Sequence, residues 1–462
     1  MDYDILIIGS GPGGYVAAIR AAQLGLNVAV VEKAELGGIC LNWGCIPTKA
    51  LLKSAEVWHL LGESKAFGIA VENPYFDYSQ VVRRSREVAQ RLSKGVEFLF
   101  KKNRIVLLPG TARFTDKNTL AVEDSTGKTK NITAQNMIIA TGARPRALNA
   151  IPIDGQYVIS SREALSLETL PRSVIVIGAG AIGVEFAYLW RTFGVEVTLV
   201  ELLPQILPNE DEEIARELTR ALKKAGINIY TGAHVENATR HDGEVEVSLT
   251  VGNEIKKLAA ERALMAVGVQ PNTENLGLEA CGIITDRGWI KVDEHYRTNV
   301  AGVYAIGDVI GNPCLAHVAS AEGVHAVEFI AGKNPPPLNY TAVPGCTYCQ
   351  PQVASVGLTE RQAVERGFKV RIGRFPFRAN GKSMVSGESE GQVKVLFEAE
   401  SGIIIGGHII GSEATELLPE LVLAVTNRLT FADLKNAVHA HPTLSEALSE
   451  ALHDAFGEAI HR

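Results

Sequence analysis

The chain has 462 residues, 44 of them glycine, with 46% hydrophobic and only 6% aromatic side chains and a formal net charge of −7. That length allows about three domains, each with its own core, and the glycine content suits an α/β fold with many tight strand-to-helix turns. The acidic balance gives no basic footprint for nucleic acid, no apolar run approaches the roughly 18 residues of a membrane span, and six cysteines do not make a secreted disulfide framework in a chain of this size.

Met1 is followed at once by Asp2-Tyr3-Asp4, with no basic leader, so a reducing cytoplasmic setting is expected. In such a setting a reactive cysteine pair is more often catalytic than structural. Ile5 to Ile8 reads as a buried strand, Gly9-Ser10-Gly11-Pro12-Gly13-Gly14 as a turn, Tyr15 to Leu24 as a helix, and Val28 to Val31 as a second strand ending in Glu32. This is the dinucleotide fingerprint in full context: Gly9 makes the tight turn, Gly11 lets a pyrophosphate approach the backbone, Gly14 lets helix and strand pack closely, and Glu32 can accept from a ribose. The helix N-terminus supplies oriented N–H groups for phosphates.

Gly38 to Lys49 follows, reading GICLNWGCIPTK. Cys40 and Cys45 are five residues apart, which on an ideal helix separates them by about 140°. A disulfide requires Cα atoms within roughly 4.4–6.8 Å, so the pair closes only if the backbone bends between them, as Gly44 and the nearby Pro47 permit. Spacing alone leaves a structural disulfide or two unrelated thiols open. From Asp77 to Asn103, Val81, Val88, Leu92, Val96 and Leu99 recur at helical spacing, an amphipathic helix to which no chemistry is assigned. Met137 to Ala140 is a further apolar strand that runs into Thr141-Gly142-Ala143-Arg144-Pro145.

The fingerprint then recurs: a strand at Ser173 to Ile177, the turn Gly178-Ala179-Gly180-Ala181-Ile182-Gly183, a helix at Val184 to Thr192, and a strand at Val195 to Val200 ending in Glu201. Two units imply two dinucleotides that could exchange electrons. Glu201 would accept from a ribose 2′-OH and repel a 2′-phosphate, and the adjoining Leu202-Leu203-Pro204 offers no Arg clamp, which argues for NAD over NADP. Ala266-Val267-Gly268 with Pro271-Asn272 closes the unit, and Val303 to Asp308 is another strand with an acidic end. Asn334-Pro335-Pro336-Pro337 marks a linker. Strand patterns at Gln392 to Phe397 and Ile403 to Ile410, with helices at Ala414 to Asn427 and Leu444 to Phe456, describe an α+β domain after it. Read locally, Thr443 and Glu446 make a capping box at the last helix, which would leave Glu446 structural and His441 a surface histidine.

The ordered series resembles the flavoprotein disulfide oxidoreductases over essentially the whole chain. It rests on GGICLNWGCIPTK after the first fingerprint, the ATGARP turn, the second fingerprint, the strand ending in Gly307-Asp308, and HPTLSE from His441 to Glu446. Within that family it is most similar to enzymes that oxidise protein-bound dihydrolipoamide with NAD⁺. The resemblance implies two Rossmann-like domains and a C-terminal α+β interface domain: FAD-binding residues 1–145, NAD-binding residues 146–270, a central segment 271–338 completing the FAD domain, and a dimerisation domain 339–462. It implies FAD held by Gly9, Gly11, Gly14, Glu32, Lys49, Ala112, Gly142, Asp308 and Ala316, and NAD held by Gly178, Gly180, Gly183, Glu201, Val235 and Gly268. It makes Cys40–Cys45 a redox disulfide, with Cys40 facing substrate and Cys45 facing the flavin. Glu185 is expected to pair with Lys49, and His441, oriented by Glu446, to act as base from the partner subunit.

The implied partners are a second copy of the chain, the lipoyl domain of a 2-oxo acid dehydrogenase or glycine cleavage complex, and the subunit-binding domain of a core acyltransferase, with no nucleic acid, membrane or metal. Alternatives are a reductase of another small disulfide, glutathione-like, and a flavin-containing structural subunit without turnover. Two departures from the family pattern stand out: Val269-Gln270 where an Arg usually follows the AxG turn, and Cys346 and Cys349 within Cys346-Thr347-Tyr348-Cys349-Gln350-Pro351. Two buried free thiols are expected there in preference to a redox or metal pair, since one CxxC supplies half a zinc site.

Overall fold

The computed structural model describes residues 1–311 and 313–461. The first unit is built on β1 (Tyr3–Ile8), α1 (Pro12–Gln23), β2 (Val28–Glu32), α2 (Gly38–Trp43), α3 (Cys45–Glu63) and α4 (Tyr78–Lys102), followed by β3 (Val106–Pro109), β4 (Thr111–Asp116), β5 (Thr119–Glu123) and β6 (Thr129–Ile139). These strands lie in the order β3-β2-β1-β6-β5-β4 in a seven-stranded sheet, parallel from β3 to β6 and antiparallel from β6 to β4. Ile5, Leu6, Ile7 and Val30 are fully buried, as expected where helices cover both faces of a parallel sheet. Val303–Ala305 returns to add a parallel strand beside β6.

Helix α1 begins at Pro12, earlier than the apolar run suggests, because proline at the first helical position needs no N–H partner. Helix α4 is capped by the Asp77 carboxylate, which accepts from the Gln80 N–H at 3.2 Å. Its buried stripe is Tyr78, Val82, Ser85, Ala89, Val96 and Phe100. Of the expected series Val96 lies in it, Val81, Val88 and Leu99 flank it half-buried, and Leu92 is exposed; small Ser85 and Ala89 let the stripe lie close to its neighbours.

The second unit is a five-stranded parallel sheet in the order Asn228–Tyr230, Glu196–Val200, Ser173–Ile177, Arg262–Met265, Val158–Ile159. The helix Ala181–Thr192 packs on it, and an antiparallel three-stranded sheet over 233–260 closes it. After an irregular stretch through Pro335–Pro337, the C-terminal domain forms a five-stranded antiparallel sheet backed by the helices Ala414–Thr426 and Glu446–Asp454. The chain is thus two dinucleotide-binding units and a C-terminal α+β domain. Lys394, 1% exposed on that last sheet, reaches Asp211 of the second unit at 2.8 and 3.0 Å and Glu360 at 2.7 Å, tying the two together.

Candidate active site

The two glycine turns are copies of each other in detail. Gly9 and Gly178 have φ of +100° and +101°, and a Cβ on either would lie 2.4 Å from a carbonyl oxygen of the neighbouring strand end, Ala140 or Ala266. A Cβ on Gly14 would sit 2.0 Å from the Gly9 carbonyl, and one on Gly183 would sit 1.9 Å from that of Gly178. Gly11 and Gly180 face open space and precede helices whose first N–H groups have no side-chain cap. Open backbone beside free helical N–H groups fits a pyrophosphate at both turns. Glu32 accepts from the Ser10 N–H at 2.8 Å, and Glu201 from the Ala179 N–H at 2.7 Å, so each carboxylate is held at its strand end beside the turn.

Other expected contacts gather around these cradles. The Gly110 N–H donates to the Glu32 carbonyl at 2.9 Å, which brings Ala112 beside the first cradle, and the Ala233 N–H donates to the Glu201 carbonyl at 2.9 Å, which brings Val235 beside the second. Gly142 and Gly268 each have positive φ, at the ends of β6 and of Arg262–Met265. Asp308 is half-buried, and desolvation pushes its carboxyl upward. Its neighbour Gly307 donates to Glu322 at 2.6 Å, and Glu322 also accepts from the Tyr340 hydroxyl at 2.7 Å. Ala316 opens the helix Ala316–Ile330 that carries Glu322. Sequence patterning did not single out Glu322 or Tyr340, since their contact joins distant segments.

Cys40 and Cys45 lie at the break between α2 and α3. Gly44, at φ −152° and ψ −111°, interrupts the helix, while Pro47 sits in the first turn of α3, where a missing N–H costs nothing. A Cβ on Gly38 would lie 2.7 Å from Gly11 Cα, so this stretch rests directly on the first cradle. Both cysteines are free thiols here, the reduced form of the couple that the resemblance implies. They are unequal. The Cys40 pKa is driven up by the hydrogen bond with Cys45 and by burial. Cys45 is lowered, first by that donated hydrogen bond and then by the charge of Lys49, against burial and Glu185.

Lys49 donates to both oxygens of Glu185 at 2.9 and 2.8 Å, and Glu185 also accepts the Tyr348 N–H at 3.0 Å. The other member of the expected constellation stands elsewhere on the chain. His441 Nδ1 lies 2.9 Å from Glu446 Oε1 with the imidazole side chain 78% exposed, and none of its recorded partners belongs to the Cys40–Cys45 region. Glu446 Oε2 accepts the Thr443 N–H at 2.8 Å, but the capping box is only half formed. The Thr443 hydroxyl bonds the Ala440 carbonyl and Ser445 instead, so the helix starts at Glu446 and not at 444. His439 is engaged by Glu420 at 2.9 Å.

Gln270 pairs with Arg144 across a short antiparallel ladder, its amide oriented to accept from the guanidinium at 3.0 Å, while Arg144 forks onto Glu274 at 2.8 and 2.6 Å. Cys346 and Cys349 are free; burial pushes the Cys346 thiol up to about 11 and raises Cys349 further. Among the described residues no cluster of three or more potential metal ligands occurs, and no helix is long and apolar enough to cross a membrane.

The chain is 48% identical to a dihydrolipoyl dehydrogenase of Zymomonas mobilis and 47% identical to one of Mycobacterium tuberculosis, in each case over 99% of both chains. Its fold superposes on crystalline LpdA of Mycobacterium tuberculosis with a TM-score of 0.91 at 29% identity, covering 97% of this chain and 98% of that one. It also superposes on the HOCl-induced flavoprotein disulfide reductase RclA of Escherichia coli, solved as a Cu(II) complex, with a TM-score of 0.88 at 27% identity, covering 98% and 99%. Residues 3–323 match the pyridine nucleotide-disulphide oxidoreductases and residues 343–452 match their dimerisation domain, so with two nucleotide cradles flanking one thiol pair the chain belongs to the pyridine nucleotide-disulphide oxidoreductase family.

Proposed function

We propose that the chain is an oxidoreductase that reoxidises protein-bound dihydrolipoamide with NAD⁺, through the Cys40–Cys45 couple and a bound FAD. The observation that carries this reading is the placement of the Cys40–Cys45 pair at a helix break that rests on the first cradle, with the Lys49–Glu185 ion pair one turn beyond. A raised Cys40 and a lowered Cys45 fit a couple with one substrate-facing and one cofactor-facing sulfur. Residues 1–145 with 271–338 would hold FAD, 146–270 NAD, and 339–462 the second copy of a cytoplasmic homodimer. The relatives' shared name supports dihydrolipoamide as the substrate over glutathione.

When bound, FAD supplies a two-electron relay between thiol and nicotinamide chemistry. A free thiol titrates near about 8.5, so the substrate needs a base at neutral pH. His441 of the partner subunit takes that proton, and Glu446 stabilises the resulting cation. The substrate thiolate attacks Cys40 of the oxidised pair; the Cys40–Cys45 bond breaks and Cys45 leaves as thiolate. The second substrate thiol gives up its proton and closes the lipoyl ring on the mixed disulfide, and Cys40 is released and takes up that proton. Both electrons then reside on the pair in its dithiol form, and their passage to NAD⁺ leaves NADH and one proton overall. Lys49 holds the Cys45 charge, and Glu185 orients Lys49.

The test is NADH formation from dihydrolipoamide and NAD⁺ by the purified homodimer, with reduced glutathione and NADP⁺ as parallel arms. Turnover confined to the dihydrolipoamide and NAD⁺ arm is expected. Equal specificity constants for glutathione would return the reading to a general small-disulfide reductase, and stoichiometric reduction without turnover would favour a structural flavoprotein.

A further inference from the structure

We propose that Tyr348 is a positioning residue of the redox centre, reaching in from the C-terminal domain to hold the Lys49–Glu185 pair against Cys45 and to keep water from its far side. This rests on the reading of Cys45 as the thiolate of a dithiol couple. Two contacts carry it. The Tyr348 N–H donates at 3.0 Å to the same Glu185 oxygen that Lys49 reaches at 2.9 Å. The Tyr348 ring faces the Lys49 ammonium, with Nζ 4.5 Å from the centroid, a cation–π arrangement that strengthens as it is desolvated.

The two cysteines flanking Tyr348 are placed to fix it and not to pair with each other. Cys346 packs against the core of the C-terminal domain. Cys349 is buried in a different core with Leu51, Leu52 and Ala55, and its thiol donates to the Pro351 carbonyl at 3.2 Å. The segment is thereby anchored on both sides of the tyrosine. Beyond the ring lies a cavity of about 180 Å³ whose lining includes Lys49, Leu52, Tyr188, Tyr348 and Cys349. At about 30 Å³ per molecule, that volume admits several waters. Lys49, one-third exposed, already borders it; with the ring gone the cavity widens around the ammonium, and more water screens its charge from Cys45.

The groups that face Cys45 are Cys40 on α2, Lys49 on α3 and Glu185 on the helix Ala181–Thr192; Lys49 in turn faces Cys346, Tyr348 and Cys349. Tyr348→Leu changes what lies behind Lys49 without altering a charge in this set. The experiment is the pH dependence of iodoacetamide alkylation at Cys45 in the reduced holoprotein, resolved by mass. For Tyr348→Leu the midpoint is expected to rise by about one pH unit, while Tyr348→Phe, which keeps the ring and the backbone donor, leaves it in place. Tyr348→Met provides a second ring-less variant should the leucine protein not fold. An unmoved midpoint in the ring-less proteins overturns the proposal, as does an equal shift in Tyr348→Phe. Cys45→Ser in the otherwise native chain separates the two levels. If the native protein has no depressed titration that this variant abolishes, the dithiol reading itself fails.

Discussion

Lys49 and Glu185 are 136 residues apart in sequence and meet in a two-point ion pair of 2.9 and 2.8 Å. Lys49 is one helical turn beyond Cys45 on α3, and Glu185 lies on the first turns of the helix that carries the second glycine cradle. The pair therefore joins the thiols, the first unit and the second unit at one point. Glu185 is almost fully buried, whereas the Lys49 side chain is one-third exposed, so the carboxylate depends on the pair more than the ammonium does. Removing Lys49 would strand a buried charge.

Cys40 is expected to set the titration of Cys45. In Cys40→Ala the thiolate loses its hydrogen-bond donor, the largest influence holding it down, and its pKa should rise towards the ordinary thiol value of about 8.5. The pH profile of alkylation at Cys45 measures this. A midpoint equal to that of the native protein would show that Lys49 alone suffices.

Gly180 and Gly183 of the second turn should separate in their effects. Gly180→Ala meets nothing within 4 Å, so the protein should keep its melting temperature and lose nucleotide affinity. Gly183→Ala places a methyl 1.9 Å from a backbone oxygen and should cost about 1–3 kcal/mol or more in stability. Thermal melts with and without NAD⁺ distinguish them. Similar melts for both would mean that the turn relaxes around an added methyl.

His441→Gln should slow the reaction with dihydrolipoamide by roughly 10²–10⁴, while reduction of the holoprotein by NADH stays near the native rate. Stopped-flow measurement of the two half-reactions checks this. Equal slowing of both would place His441 outside the thiol chemistry and return it to the surface role that its exposure allows.

Glu201 predicts a strong preference for NADH over NADPH, since it already accepts from the Ala179 and Leu203 N–H groups at 2.7 and 2.9 Å and stays in place at the cradle. Its charge would repel a 2′-phosphate there. Specificity constants for the two nucleotides decide the matter, and equal values refute it.

Glu210 should make stability fall as pH rises from the acid range towards neutrality. Burial lifts its carboxyl from 4.5 to about 7, with Oε2 lacking any partner and Oε1 accepting from Ser355 of the C-terminal domain at 3.0 Å. The folded state thus holds a proton that the unfolded chain releases above about 4.5, so stability is lost between that pH and about 7. The whole loss is of order 3 kcal/mol. Glu210→Gln should match the native protein near pH 4 and melt higher at pH 8. Parallel melting curves across that range would show that the carboxyl titrates normally.

Much of the site can be read along the chain because its chemistry is local. A turn that needs Gly9 or Gly178 at positive φ, a Gly14 or Gly183 that admits no Cβ, and an acidic residue at the next strand end lie within a few dozen residues of one another. Cys40, Gly44 and Cys45 are similarly contained in one broken helix. Pairings between remote segments leave no such trace. Tyr348 stood out only for the cysteines beside it, and Glu322 and Tyr340 not at all, because nothing in a local period reports which distant carboxylate a hydroxyl will reach. The half-formed capping box at Thr443 failed for a related reason: its hydroxyl had a better acceptor in Ala440.

By itself, then, the sequence determined the two nucleotide cradles, the thiol pair between them and the family of the fold, since backbone sterics and short-range hydrogen bonding dictate those residues wherever the motif occurs. Only the tertiary structure decided that Tyr348 closes on the expected Lys49–Glu185 pair through its N–H and its ring, and that Cys346 and Cys349 face separate cores. Charge and burial act through space across three packed domains, and their outcome depends on distances that no spacing along the chain encodes.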